Sequence, residues 1–170
     1  MGNKHCRSGL DSPDGAALKM SILPRISLLI LVVTLWEACP AAAADPAAEI
    51  REVLHAQQEA WNRGDVDGFM NGYARSRSTT FVSEDTITRG WQTVRDRYKK
   101  KYSDRQKMGA LTFSGLEIIS LGPNAAIVIG RWQLKRKSDQ PHGRFTLVFR
   151  RLAEGWRIVH DHTSVASPPK

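Results

Sequence analysis

Cysteine is scarce in this 170-residue chain: there are two, Cys6 and Cys39, both in the N-terminal quarter. The remaining three quarters can form no disulfide and offer no thiol nucleophile, so stability there must come from a packed core. Long apolar runs are also missing. The most apolar block, Ile26 to Trp36, is about 11 residues where a membrane-spanning helix needs about 20. No serine sits in a G-x-S-x-G elbow, no H-E-x-x-H motif occurs, and neither an internal repeat nor a low-complexity domain is evident. Acidic residues are outnumbered, 17 against 25 Lys and Arg, for a net charge of +8.

The short apolar block has a specific context. From Met20 the chain reads MSILPRISLLILVVTLWEACPAAAADP: one Arg, the block, then small residues ending at Ala44. That is the n-region, h-region and A-x-A pattern of a secretory signal peptide. Residues 20–44 are therefore expected to be a signal peptide, and 1–19, which lack apolar periodicity, an N-terminal extension ahead of the true start. Cys39 raises a lipoprotein alternative, but Trp36 and Glu37 stand where small residues are expected before it. The expected product is a periplasmic or secreted protein without membrane attachment, its domain over 45–166 and a frayed tail over 167–170. The basic stretches RDRYKKKYSDRQK and LKRKSDQPHGR then read as solvated helix and hairpin cations, and no nucleic-acid partner is expected.

Asp45-Pro46 is a helix start, and Ile50, Val53, Leu54, Gln57 and Trp61 follow at helical spacing up to Gly64. This predicts a helix over 46–63. Asp65 caps a second helix, with Val66, Phe69, Met70 and Tyr73 on one face. TTFVS and TIT predict a small hairpin, and Trp91, Val94, Tyr98 and Tyr102 a third helix. Residues 110–121, 125–137, 144–152 and 156–166 are β-branched and aromatic, separated by turn signals at Gly122-Pro123-Asn124, Ser138 to Pro141 and Ala153 to Gly155. Such short connections predict a four-stranded antiparallel meander and an α+β fold.

The order of these elements, WNRGDVDGFMNGY across the first two helices and the closing GWRIVHDHTS together resemble the nuclear transport factor 2-like superfamily. Within it the chain is similar to SnoaL-like and ketosteroid-isomerase-like small bacterial proteins and to the association domain of calcium/calmodulin-dependent protein kinase II. The resemblance implies a cone-shaped fold, a curved sheet wrapped round the first helix with a pocket at one end, and a homodimer formed through the sheet. It does not fix the chemistry, because the fold hosts isomerases, cyclases, dehydratases, hydrolases and modules with no chemistry. Aligned on the GD turn, the isomerase branch's helix-one tyrosine falls at Gln57 and its carboxylate base near Val82 to Ser83, neither of which supplies the group. The kinase association domain has a pocket arginine at Arg131 and a second where this chain has Leu147.

Strand alternation places Trp156, Ile158, His160 and His162 on one face and Asp161 on the other. His160 and His162 are thus expected to face the pocket as the candidate general acid/base, with Asp161 turned away from them. His142 in the 138–143 loop and His55 on the polar side of helix one supply no third ligand, so neither a metal nor a cofactor is expected. Trp61, Tyr73, Trp91, Tyr98, Arg131, Phe145, His160 and His162 are the expected ligand contacts, though most aromatics must also build core. Three readings follow: a binding protein for a small, partly apolar, anionic molecule; a cofactor-independent isomerase, cyclase or hydrolase working through a pocket histidine; and a homo-oligomeric assembly module with a vestigial pocket.

Overall fold

The structure, a computed structural model, describes residues 45–166. The expected signal peptide, the expected extension before it and the expected tail lie outside the described residues. Among the described residues four helices and six strands follow in order: α1 Pro46–Arg63, α2 Val66–Met70, β1 Thr80–Ser83, β2 Thr86–Arg89, α3 Trp91–Lys101, α4 Arg105–Met108, β3 Ala110–Ser120, β4 Ala125–Lys135, β5 His142–Leu152 and β6 Gly155–Thr163.

The long first helix begins and ends on its caps. The Ala47 N–H donates to the Asp45 carboxylate at 3.0 Å, Pro46 takes the first turn, and Gly64 closes the helix at φ 85°, a left-handed conformation that a glycine adopts without a Cβ clash. Asp65 then caps α2 by accepting from the Gly68 N–H at 2.7 Å. The four-residue α4, for which the sequence carries too little periodicity, is held by Asp104 accepting from the Lys107 N–H at 2.9 Å.

The sheet has the order β2-β1-β6-β5-β4-β3. Its last four strands form the expected antiparallel meander. The N-terminal hairpin extends it on the far side, β1 lying parallel to β6 with Thr80 opposite His160 and Ser83 opposite Thr163. His142, expected in a loop, opens β5 and pairs with Gln133. The helices cover one face of this curved, unclosed sheet. Ile50, Leu54 and Trp61 of α1 meet Val128, Phe149, Trp156 and Ile158 in a continuous core, each large side chain contributing about 1.5–3 kcal/mol by leaving water. A Cβ on Gly130 would run into the Phe145 ring opposite it, so the glycine leaves room for that ring on the inner face.

One irregularity decides where the polar residues of β6 point. Phe149 pairs with Ile158 but Val148 pairs with His160, so Val159 is an extra residue in the ladder, a β-bulge. Side-chain alternation inverts at that point. Trp156 and Ile158 face inward before the bulge; Asp161 and Thr163 face inward after it.

Candidate functional site

The bulge corrects the central expectation from sequence. His160 is half-buried and His162 exposed, on the outer face beside Val148 and Thr146, and neither lines the cavity. Asp161, expected to point away, is 3 % exposed and looks into it.

Asp161 is held from two sides. The Tyr73 hydroxyl donates to Oδ2 at 2.6 Å and the Thr163 hydroxyl to Oδ1 at 2.6 Å. Tyr73 is positioned by backbone: the segment after α2 bridges β6, with the Ile158 N–H donating to the Gly72 carbonyl and the Ala74 N–H to the Ile158 carbonyl, both at 2.9 Å. Burial raises the Asp161 carboxyl above its ordinary value of 3.8, outweighing the hydrogen bonds from Thr163 and Tyr73 and the charges of His160 and His162, which act the other way. Burial and the Asp161 charge also push Tyr73 and Tyr98 well above 10. Both phenols therefore stay protonated at neutral pH.

The cavity in front of this pair measures about 100 Å³. An apolar cavity of roughly 150 Å³ accommodates benzene, so the enclosed part holds a short chain or part of one ring, and the rest of a larger molecule must emerge at the open end. Its walls are aromatic, with Trp61, Phe69, Phe81, Phe113, Trp132 and Phe145 among the lining residues. Trp61 anchors them: its Nε1–H donates to the Met108 carbonyl at 3.2 Å and its ring meets Phe69 and Tyr102 edge-on at 5.1 and 4.7 Å. Gln57 is buried with its Nε2 donating to the Phe69 carbonyl at 2.9 Å.

Of the residues singled out from sequence, Trp61, Tyr73, Tyr98 and Phe145 line this cavity together. Trp91 does not; its Nε1–H donates to the Met70 carbonyl at 2.9 Å, and the Arg75 and Arg95 guanidinium groups lie 5.0 and 5.3 Å from its ring. Arg131 does not either. It is exposed and paired with Ser114 and Arg144, on the opposite parity to Gly130 and Trp132. Gln57 and Ser83, aligned with the isomerase branch's tyrosine and base, do line the cavity but carry no acid.

Sequence reasoning missed Asp161, Thr163, Arg97 and Lys101, all of which line the cavity. A parity rule that assumes an unbroken strand could not recover Asp161, since Val159 carries no glycine signal for a bulge. Among the described residues no three His, Cys, Asp or Glu side chains converge as a metal site. A carboxyl that keeps its proton beyond the usual range, beside two neutral phenols in an apolar enclosure, can exchange a proton with a bound hydroxyl, carbonyl or acidic C–H group.

The SnoaL-like domain family matches residues 50–168. A nuclear transport factor 2-like protein of unknown function from Shewanella oneidensis is 40% identical over 71% of this chain and 99% of its own, with a TM-score of 0.68. A ketosteroid isomerase-like protein from Erwinia carotovora shares the fold at 16% identity, covering 74% of this chain and 100% of its own with a TM-score of 0.59. A nuclear transport factor 2-like superfamily protein from Salmonella enterica does so at 23%, over 74% and 92%, with a TM-score of 0.57. No curated protein matches the chain at a significant level. The match over most of the chain, with helices packed on a curved, unclosed sheet, makes this a member of the SnoaL-like domain family of the nuclear transport factor 2-like superfamily.

Proposed function

We propose that the domain binds a small, partly apolar molecule in the aromatic cavity, with a polar group of that molecule at the Tyr73–Asp161 pair. The observation that carries this is a carboxyl 3 % exposed, hydrogen-bonded only by hydroxyl donors and facing an aromatic-lined space. Removing a carboxyl from water costs several kcal/mol unless something compensates it, a cost that a core without function would avoid with a leucine. Leu147, 4 % exposed and in the cavity wall, gives the test. Leu147→Trp fills the space and is expected to weaken single-ring fragments at least about 100-fold, while overpacking costs the fold about 1–3 kcal/mol. Ligand-observed NMR with cyclic alcohols, ketones and acids reads the first and urea unfolding the second. Fragments that bind both proteins equally, or neither, would sink the reading.

A second reading makes the domain an isomerase, cyclase or hydrolase that works without a cofactor. Proton transfer then falls to Asp161, assisted by Tyr73, rather than to His160 or His162, because only the first two face the cavity. It is favoured by the raised Asp161 carboxyl, whose proton affinity lies closer to that of a neutral-pH acid or base.

Export and self-association belong to the same proposal. On the outer sheet face Ile119, Ile127 and Val148 lie in one cross-strand row with His160, and Ile119 is 39% exposed, a surface that a second copy would cover. Native mass spectrometry of protein recovered from the periplasm is expected to give a dimer of chains beginning at Asp45. A monomer, or a chain that retains Met20, counts against the corresponding half.

A further inference from the structure

Helix α3 carries two cation pairs, each spaced i, i+4. Arg95 and Lys99 meet carboxylates: Lys99 Nζ lies 2.7 Å from Asp67 Oδ2, and Arg95 Nη2 lies 3.0 Å from Asp96 Oδ1. Arg97 and Lys101 meet none within ion-pair distance among the described residues, and these two line the cavity. The Arg97 guanidinium lies over the Phe81 ring at 4.8 Å and donates one bond, to the Thr88 hydroxyl at 3.1 Å, out of five donors. The Lys101 ammonium is 5.6 Å from the Tyr102 ring. Among the described residues Asp161 is the only carboxyl group in the cavity lining.

Exposure rises along β6 from the floor of the cavity outward. Ile158 is 1 % exposed and Asp161 3 %, whereas Val165 beyond the strand is 50 % exposed and still lines the cavity. Half-buried Arg97 and exposed Lys101 reach the cavity from α3, Arg97 beside Phe81, which pairs with Asp161, so the cations flank the cavity on its hairpin side. Two uncompensated cations beside low-dielectric aromatic walls attract an anion strongly.

Resting on the binding role proposed above, we infer that the ligand is a small monocarboxylate: its apolar body enters the aromatic cavity and its carboxylate stays at the mouth between Arg97 and Lys101. This replaces Arg131, which faces away, as the anion-reading group. Arg97 is suited to bidentate contact and Lys101 to a point-charge contact.

The test is calorimetry with benzoate, 4-hydroxybenzoate and cyclohexanecarboxylate, each compared with its neutral amide, at low and high salt. At least one acid is expected to bind about tenfold or more tightly than its amide, with the advantage shrinking at high salt. Arg97→Gln and Lys101→Gln should each reduce that advantage and together erase it, leaving the amides unchanged. Lys99→Gln, on the carboxylate-paired side, should leave it intact. Unchanged melting temperatures show that the variants fold. Acids and amides that bind alike, or an advantage that survives the double variant, overturn the carboxylate assignment and leave the cavity reading standing. If neither acids nor amides bind, and Leu147→Trp changes no fragment contact, the binding reading itself fails and this inference with it.

Discussion

On the catalytic reading, an Asp161→Asn variant is expected to lose proton transfer by about 10²–10⁴-fold; on either reading it should fold at least as stably as the parent at neutral pH. The asparagine oxygen can accept from Tyr73 and its NH₂ can donate to the Thr163 hydroxyl, so both hydrogen bonds at 2.6 Å find replacements. What disappears is the charge. In the folded protein Asp161 holds its proton more tightly than its ordinary value of 3.8 implies, so the native state binds more protons than the unfolded chain between those two values. Stability conferred through this group therefore falls as pH rises from 3.8 to the folded value, and it stays reduced above that. The variant lacks this slope. Its advantage should be absent below 3.8 and complete above the folded value, as read by urea unfolding from pH 3 to 7. Asp67 and Asp104, both exposed and lowered by Lys99 and by the Lys107 backbone N–H respectively, titrate alike in both proteins and cancel in the difference. Solvent-deuterium exchange at carbons next to the carbonyl of cyclic ketone fragments reads the chemical half. Catalysed exchange that survives in Asp161→Asn would remove the carboxyl from the mechanism.

The largest loss of stability is expected from Trp156→Ala, about 3–5 kcal/mol. Trp156 is 2 % exposed and sits just before the bulge, on the inner face with Ile158. Its Nε1–H is buried without a hydrogen-bond partner among the described residues, and an orphaned donor costs about 1–3 kcal/mol. Trp156→Phe removes that donor while keeping most of the ring, so it should cost far less than the alanine change. Urea midpoints of the two variants give the comparison; a loss in Trp156→Phe as large as in Trp156→Ala would contradict this.

The contrast between core and site shows what the chain made legible. Both ends of α1 were written in Asp45-Pro46 and Gly64, and the meander strands in β-branched runs between turn residues, because these are local signals. The parallel pairing of β1 with β6 joins segments about 80 residues apart, and no local pattern encodes such a partnership. Arg131 is a different case. Its outward parity could be read from Val128, Gly130 and Trp132, but the family resemblance favoured a pocket role that the alternation does not allow. The two histidines failed for the opposite reason: alternation was applied faithfully across Val159, where the strand itself breaks step. One extra residue exchanged His160 and His162 for Asp161, and with them the chemistry assigned to the cavity. Arg97 and Lys101 were visible only as members of a basic run, since separating them from Arg95 and Lys99 requires knowing which side of α3 meets the sheet.

Asp161 is a buried carboxyl, bonded to Tyr73, that burial holds above its ordinary titration range. Its side-chain carboxyl carbon, followed by ¹³C NMR as pH is varied, reports this directly. The account predicts a titration midpoint above 3.8, moving higher still in Tyr73→Phe, where a hydrogen bond that favours the charged form is lost. A midpoint at or below 3.8, or one indifferent to Tyr73, would contradict it.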